Sequence, residues 1–488
     1  MTHALMWLRR DLRLDDNTAL LSALDAHKNV SCVFNFDPYF LTPLPKKDRR
    51  LTVIIEALAD LNARLKEKGS ALILTIGDPK EQLPRLIRHL SVTDLYFNRD
   101  YTPYALKRDA LLEEACKDMG VLTHSYKDHV LCEPHEIEKP SGGFYTVFTP
   151  YKKRWLYHFD EVKDSLFHQP KPLWAHLMSK ERLEEKRSKQ SDVPLFEEVD
   201  CYDTLGFDKQ NLVITPTRKA GLKRLTEFGE SGLGSCQERR DFPAIEGTSG
   251  LSVHIRYGLI SIRDCYRMLC SNAQLGTEKS SATVWLSELV WREFYQMILA
   301  CFPQVQTRAF REQYDQIHWL GNPEHFERWR DGETGFPIID AAMRAFKQTG
   351  LMHNRLRMVV ASFLCKTLLL DWRLGESYFA QELLDFELAS NNGGWQWAAS
   401  SGCDAQPYFR IFNPHMQAKK FDPDAVFIHQ FCPELAGFSA KACWDTQFAS
   451  LAEQKESGTI LGKDYPKPIV SYKDNRALAL EMYKRCQS

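Results

Sequence analysis

The sequence predicts an α/β amino-terminal half built on a doubly wound, parallel, five-stranded sheet, followed by an all-helical second domain. Two observations carry that expectation. Short β-branched or apolar runs alternate with helical patterns over the first 130 residues, whereas strand signals fade after Pro216 and amphipathic helices dominate. At 488 residues the chain also exceeds what one core usually organises, and 44% apolar residues suffice for two.

Strands are expected at Ala4–Trp7, Val30–Phe36, Ala71–Ile76, Asp94–Phe97 and Val121–Tyr126, with a clear helix from Leu51 to Lys68, a Rossmann-like alternation. In such sheets ligands bind beyond the carboxyl ends of the strands, where Arg9, Arg10, Asp11 and Arg13 follow strand one and Asn98 to Tyr101 follow strand four. This α/β domain spans residues 1–130. Residues 131–205 read as an interdomain connector, with Pro134, Pro140, Gly142 and Gly143, one helix near Phe148–Phe159 and a charged run at Lys180–Lys189. Residues 206–480 form the helical domain, with helices at Ser281–Cys301, Ile338–Lys347, Met352–Trp372 and Gly375–Leu384.

No run of eighteen apolar residues exists, and Arg9, Arg10 and Asp11 interrupt any signal-peptide pattern, so a cytoplasmic protein without membrane contact is expected. Thirteen cysteines lack Cys-x-x-Cys or zinc-type spacing, which argues for reduced thiols and no metal. A net charge of −1 excludes a uniformly basic surface, so contact with nucleic acid needs a local patch. Arg344, Lys347, Arg355, Arg357 and Lys366 form one candidate, with no acid between them.

The richest segment is Asn391-Asn392-Gly393-Gly394-Trp395-Gln396-Trp397. It combines two amides, two glycines and two indoles, a composition suited to a flat ligand. Seven of the eleven tryptophans lie between Trp285 and Trp397, which strengthens that reading. For Trp395 and Trp397 to face opposite ways, an extended or sharply turned backbone is expected, as Gly393 and Gly394 permit. The Gly247-Thr248-Ser249-Gly250-Leu251-Ser252 segment gathers hydroxyls and free N–H groups, which suits an anion. Trp285, Glu288, Arg292 and Tyr295 share one helical face, with Trp291 beside it. His353 and Arg357 share another, and Asn354 and Met358 the adjacent one, with Arg355 near both, so a polar cavity is expected. A buried Arg357 requires a carboxylate, and Asp385 is the expected partner.

The ordered motifs Arg-Arg-Asp-Leu-Arg-Leu-Asp-Asp-Asn (9–17), Arg-Asp-Phe-Pro (240–243), Gly-Thr-Ser-x-Leu-Ser (247–252), Trp-x-x-Glu-x-x-Trp-Arg-Glu-Phe (285–294), Met-His-Asn-Arg-x-Arg-Met (352–358), Asn-Asn-Gly-Gly-Trp-Gln-Trp (391–397) and Pro-Tyr-Phe-Arg-x-Phe-Asn-Pro (407–414) resemble the photolyase/cryptochrome family, within it the class I cyclobutane pyrimidine dimer (CPD) photolyases. That resemblance implies FAD in the helical domain, reduced in its active form, and light-driven splitting of pyrimidine dimers flipped out of UV-damaged DNA. It also implies a monomer. Carried over, it places Thr248, Ser249, Gly250, Leu251 and Ser252 at the FAD phosphates, and Trp285, Glu288, Arg292, His353, Arg357, Asp385, Phe386, Glu387 and Asn391 along the rest of the cofactor, with Asn391 at flavin N5. Glu288, Trp291, Asn354, Arg355, Met358, Trp397 and Gln417 would meet dimer or DNA. Trp395, Trp372 and Trp319 would relay electrons from the surface.

Departures from the pattern are local. Cys236 stands where many relatives have tyrosine and Gly250 where arginine is frequent, so weaker FAD retention is expected. Phe386-Glu387 replaces Gly-Asp. For a second, antenna chromophore, Tyr104-Ala105 and Gln306-Thr307 lack the pairs of 5,10-methenyltetrahydrofolate-binding relatives. Phe36-Asp37-Pro38 and the 98–104 stretch look closer to relatives that bind 8-hydroxy-5-deazaflavin. The alternative to repair is a cryptochrome-type blue-light receptor.

Overall fold

The computed structural model describes residues 2–167, 170–188, 195, 198–271 and 280–486, so Lys189, the end of the expected charged run, lies outside the described residues. Five strands, β1 (Ala4–Leu8), β2 (Val30–Phe36), β3 (Leu72–Ile76), β4 (Asp94–Asn98) and β5 (Leu122–Tyr126), form one sheet in the order β3-β2-β1-β4-β5. Every neighbouring pair is parallel, and each strand begins within one residue of its expected start. β1, β2 and β4 are buried along their whole length, because helices cover both faces. The covering helices are α1 (Thr18–Ala26), α2 (Arg49–Glu67), α3 (Pro79–Leu90) and α4 (Pro103–Asp118). Each is started by a side-chain oxygen, from Asn17, Asp48, Asp78 and Thr102, that accepts a first-turn amide.

The strand order reverses between β1 and β4, and their carboxyl ends open a crevice there. The charged residues that follow β1 do not wait there for a ligand. Arg9 pairs with Asp109 at 2.6 Å, and Arg10 with Asp100 at 3.2 Å and Glu387 at 2.6 Å. Arg13 meets Asp128 at 2.6 Å, and Arg263 meets both Asp128 at 2.6 Å and Asp16 at 3.0 Å. The β1 loop therefore fastens the sheet to the helical half, and the guanidinium groups that the sequence offered to a ligand are engaged in these pairs.

The helical half contains α5 (Phe148–Phe167), α6 (Arg218–Glu227), α7 (Ser281–Cys301), α8 (Asn354–Lys366), α9 (Trp372–Glu382), α10 (Leu388–Ala398) and α11 (Pro414–Phe421). No strand follows Tyr126 among the described residues. Leu131, Tyr151, Trp155 and Phe159, from the stretch read as a connector, share a core with α7. The buried Glu293 carboxylate ties them down by accepting the Leu131 and Cys132 amides (2.6 and 3.1 Å) and the Trp155 indole N–H (2.6 Å).

Three expectations need correction. The helix expected over Met352–Trp372 is two helices, because Leu369 takes a left-handed φ of 58° and Asp371 caps a new helix by accepting the Arg373 amide. Residues 391–397 are neither extended nor sharply turned but lie inside α10. Side chains two residues apart on an α-helix are separated by about 200°, so Trp395 and Trp397 diverge without any break. The supposed basic patch also dissolves: Arg344, Lys347, Arg355 and Arg357 pair with Glu434, Asp331, Asp241 and Asp385, and Lys366 is fully buried.

Burial alone would raise the Asp128 carboxyl, but Arg13 and Arg263 hold it well below the usual carboxylate range. A depressed carboxylate contributes stability that is complete above the unfolded-state pKa of about 3.9 and is lost as pH falls below it. Asp128→Asn leaves two guanidinium groups buried with reduced compensation. Thermal melts at neutral pH should show a loss equivalent to about 3–5 kcal/mol, and the variant's acid limb should be flatter than the native one.

Candidate functional site

One cavity of about 630 Å³ is walled by α7, α8, α10 and the 247–252 turn. It gathers every site residue expected from the sequence except Phe386, Gln417, Trp319 and Trp372. Phe386 packs on the adjoining core and its carbonyl accepts from Arg256. Gln417 lies on α11, outside the wall.

α7 delivers Trp285, Glu288, Arg292 and Tyr295 on one face, as their spacing requires. Glu288 pairs with Arg240 at 2.8 Å and keeps 40% of its side chain exposed. Arg292 donates to the His129 carbonyl at 2.7 Å and reaches Glu387 at 3.4 Å. Trp291 lines the cavity with Phe148 stacked behind it, centroids 3.7 Å apart and planes 8° from parallel. The contact from α5 holds the indole flat, and the sequence marked no role for Phe148.

α8 begins at His353, whose Nδ1 accepts the Arg355 amide at 3.2 Å. Burial pushes the imidazole down to about 4 against the pull of Asp241, so it is neutral at neutral pH. Among the described residues its Nε2 is buried with no hydrogen bond of good geometry, although the Arg240 backbone lies close by, and Arg355 Nε is likewise without a partner. Arg355 pairs with Asp241 at 2.8 Å and lies 4.4 Å from the Phe421 ring centroid. Arg357 donates to both Asp385 oxygens (3.0 and 2.8 Å) and from Nε to the Met352 carbonyl at 2.9 Å. The expected Asp385 partner is therefore in place, but Arg357 is only partly buried and the carboxylate is the buried member of the pair.

α10 supplies Asn391, Gly394, Trp395 and Trp397. The Asn391 amide donates to the Glu376 carbonyl at 3.0 Å and to its Oε1 at 2.9 Å, which leaves Asn391 Oδ1 as the free acceptor among the described residues. Burial raises the Glu376 carboxyl although this bond opposes the shift. The two glycines act differently. A Cβ at Gly393 would collide with the Tyr295 ring, whereas one at Gly394 meets nothing within 4 Å and would project into the cavity.

Glu387 is gripped by Arg10 and Arg292, with Arg256 nearby. Burial opposes its ionisation, yet those three cations hold it at about 2. Arg10 comes from the sheet domain, 377 residues away, and no local pattern announces it. Arg240 and Asp241 stood in a quoted motif without a role. Trp395 and Trp372 are buried in one core on which Trp319 packs. Among the described residues, however, no ring contact joins two of the three. Trp395 instead meets Phe379 and Trp329, and Trp319 meets Tyr483.

The residues fit FAD. Free turn amides, a partnered cation, an amide acceptor and a side-chain-free helix position converge on a cavity of suitable size. Residues 4–172 match the family described as DNA photolyase, and residues 285–485 match the FAD binding domain of DNA photolyase. The chain is 37% identical, over 99% of its own length and 99% of the relative's, to a deoxyribodipyrimidine photo-lyase of Escherichia coli. It superposes on a class III photolyase from Agrobacterium tumefaciens with a TM-score of 0.88 and 33% identity, covering 100% and 98% of the two chains. It also superposes on a cryptochrome of Synechocystis, with a TM-score of 0.86 and 25% identity over 99% of each.

Gly393→Ala should destabilise the fold by about 1–3 kcal/mol through overpacking on Tyr295, read by thermal melting. Gly394→Leu should leave the melt of the cofactor-free protein unchanged and lower FAD retention on gel filtration. Equal stability losses in the two variants would contradict the difference drawn between these glycines.

Proposed function

The chain belongs to the DNA photolyase family, and on that premise we propose that it repairs cyclobutane pyrimidine dimers in UV-damaged DNA under light, in the class I manner. The observation that carries this reading is one cavity holding both a flavin-type wall (Arg357–Asp385 and Asn391) and a base-type wall (Trp291, Trp397 and Glu288). When bound, reduced and excited by light, FAD would supply the electron chemistry that splits the cyclobutane ring, the electron returning to it. The protein binds, orients and shields.

In this reading the Arg357 cation would lie against the isoalloxazine and favour its anionic reduced form, while the buried Asp385 carboxylate keeps the partly exposed guanidinium in place. Asn391 Oδ1, left free because its amide donates to Glu376, would accept from the flavin N5–H. A flipped dimer needs aromatic walls and hydrogen bonds to its base edges. Trp291 and Trp397 serve as the walls, Asn354 and Met358 complete the pocket, and Glu288 accepts from the bases while Arg240 fixes its carboxylate. Arg355 and Gln417 meet the DNA. Lys420, 5.1 Å from the same Phe421 ring that Arg355 covers, stands near that rim. Trp395, Trp372 and Trp319 carry electrons inward, their burial limiting solvent reorganisation at the first two.

A second chromophore, 8-hydroxy-5-deazaflavin in preference to 5,10-methenyltetrahydrofolate, belongs beside β2 and α4. There Tyr39 stacks on Tyr104 at 3.7 Å, Tyr104 donates to Asp37 at 2.7 Å, and Phe40 is exposed. The fold likeness to a cryptochrome supports a second reading, blue-light reception without repair.

The decisive assay mixes FAD-loaded, reduced protein with a thymine-dimer oligonucleotide in blue light and in darkness; no light-dependent repair favours the receptor. Glu288→Ala should retain FAD and lose about tenfold or more in repair, the scale of one charge-assisted hydrogen bond. Arg355→Ala should weaken DNA binding and flatten its salt dependence by about one unit of slope.

A further inference from the structure

The 247–252 turn presents its backbone in an ordered way. The carbonyls of Thr248 and Ser249 both accept from the Arg224 guanidinium, at 3.3 and 2.9 Å. A trans peptide points its N–H opposite its carbonyl, so the amides of Ser249 and Gly250 are turned away from Arg224, which does not line the cavity, whereas residues 248–252 do. Among the described residues the amides of Ser249, Gly250, Leu251 and Ser252 donate to no acceptor. Gly250 makes the arrangement possible. It takes a φ of +64°, and a Cβ there would lie 3.3 Å from Arg224 Nε. Arg224 has no carboxylate partner among the described residues, since nearby Glu227 pairs with Lys223.

Resting on the FAD reading above, we infer that Arg224 is a positioning residue for the FAD phosphates: it braces the outer carbonyls of the turn so that its free amides converge on the pyrophosphate, and it supplies the positive charge that Gly250 does not. The family resemblance of the sequence leads to the expectation of arginine at position 250 itself. Here the guanidinium arrives from α6 and occupies the space that glycine leaves, so the retention defect expected from Gly250 is offset. The role separates cleanly from packing, because a brace for phosphate affects only ligands that carry phosphate.

The test is titration of cofactor-free full-length protein with FAD and, separately, with riboflavin, which has the same ring system without phosphates. Arg224→Ala should weaken FAD binding about tenfold, the worth of one charge-assisted hydrogen bond, and leave riboflavin within about twofold. The salt dependence of FAD affinity should also become shallower. Arg224→Lys, which keeps the charge and loses the fork, should fall between Ala and native. Unchanged FAD affinity in Arg224→Ala overturns the inference, and so does an equal loss for riboflavin, which would mark general damage to the cavity. If the native protein binds riboflavin and FAD equally, the phosphate end has no role and the inference also fails. Failure of the native protein to take up FAD at all would remove the cofactor reading itself.

Discussion

Everything at the cavity depends on a set of ion pairs buried where the sheet meets the helices. Arg13, Asp128 and Arg263 are at most 3% exposed, and Asp16 accepts from Arg263 beside them. Charges removed from water this completely are favourable only with several well-placed partners, and loss of one partner is costly. The network therefore sets the orientation of the two halves more than it adds to their stability. Arg10 extends it into the functional site, because the guanidinium that binds Asp100 in the sheet domain also binds Glu387 in the cavity wall.

The same logic recurs inside the cavity, where five of the side chains that would meet a ligand are held by a neighbour. Arg357 has Asp385, Arg355 has Asp241, Glu288 has Arg240, Asn391 has Glu376 and Trp291 has Phe148. Preorganised dipoles and charges need no rearrangement when charge moves, which is the condition for electron transfer or polar recognition to proceed with a small barrier. Such backing also explains how so many charged groups tolerate one enclosed space.

Much of the fold was legible because its signals are local. The strands are short apolar runs buried on two faces, and their predicted starts hold within a residue. The stripe from Trp285 to Tyr295 follows from helical spacing, and the Arg357–Asp385 pair is as expected, although the buried member is the carboxylate and Arg357 stays partly exposed. Residues 391–397 misled for a physical reason: Asn and Gly disfavour helix by intrinsic propensity, but Gly393 is required where α10 presses on Tyr295, and tertiary packing prevails. The brace residues were not legible, since Arg10 and Glu387 or Phe148 and Trp291 are brought together only by the chain's long-range path. The basic run failed because spacing counts charges and cannot see their partners on other helices and turns.

The interdomain fastening bears on optics as well as on mechanics. Dipolar energy transfer between two chromophores depends steeply on their separation and on the angle between their transition moments. A pigment seated by Tyr39 and Tyr104 would be anchored to the sheet whose β1 loop grips Glu387, so its bearing toward a flavin in the cavity would be set by guanidinium–carboxylate geometry and not by a hinge. The salt bridges that close the interface would thus govern how efficiently light absorbed by such a pigment reaches the flavin.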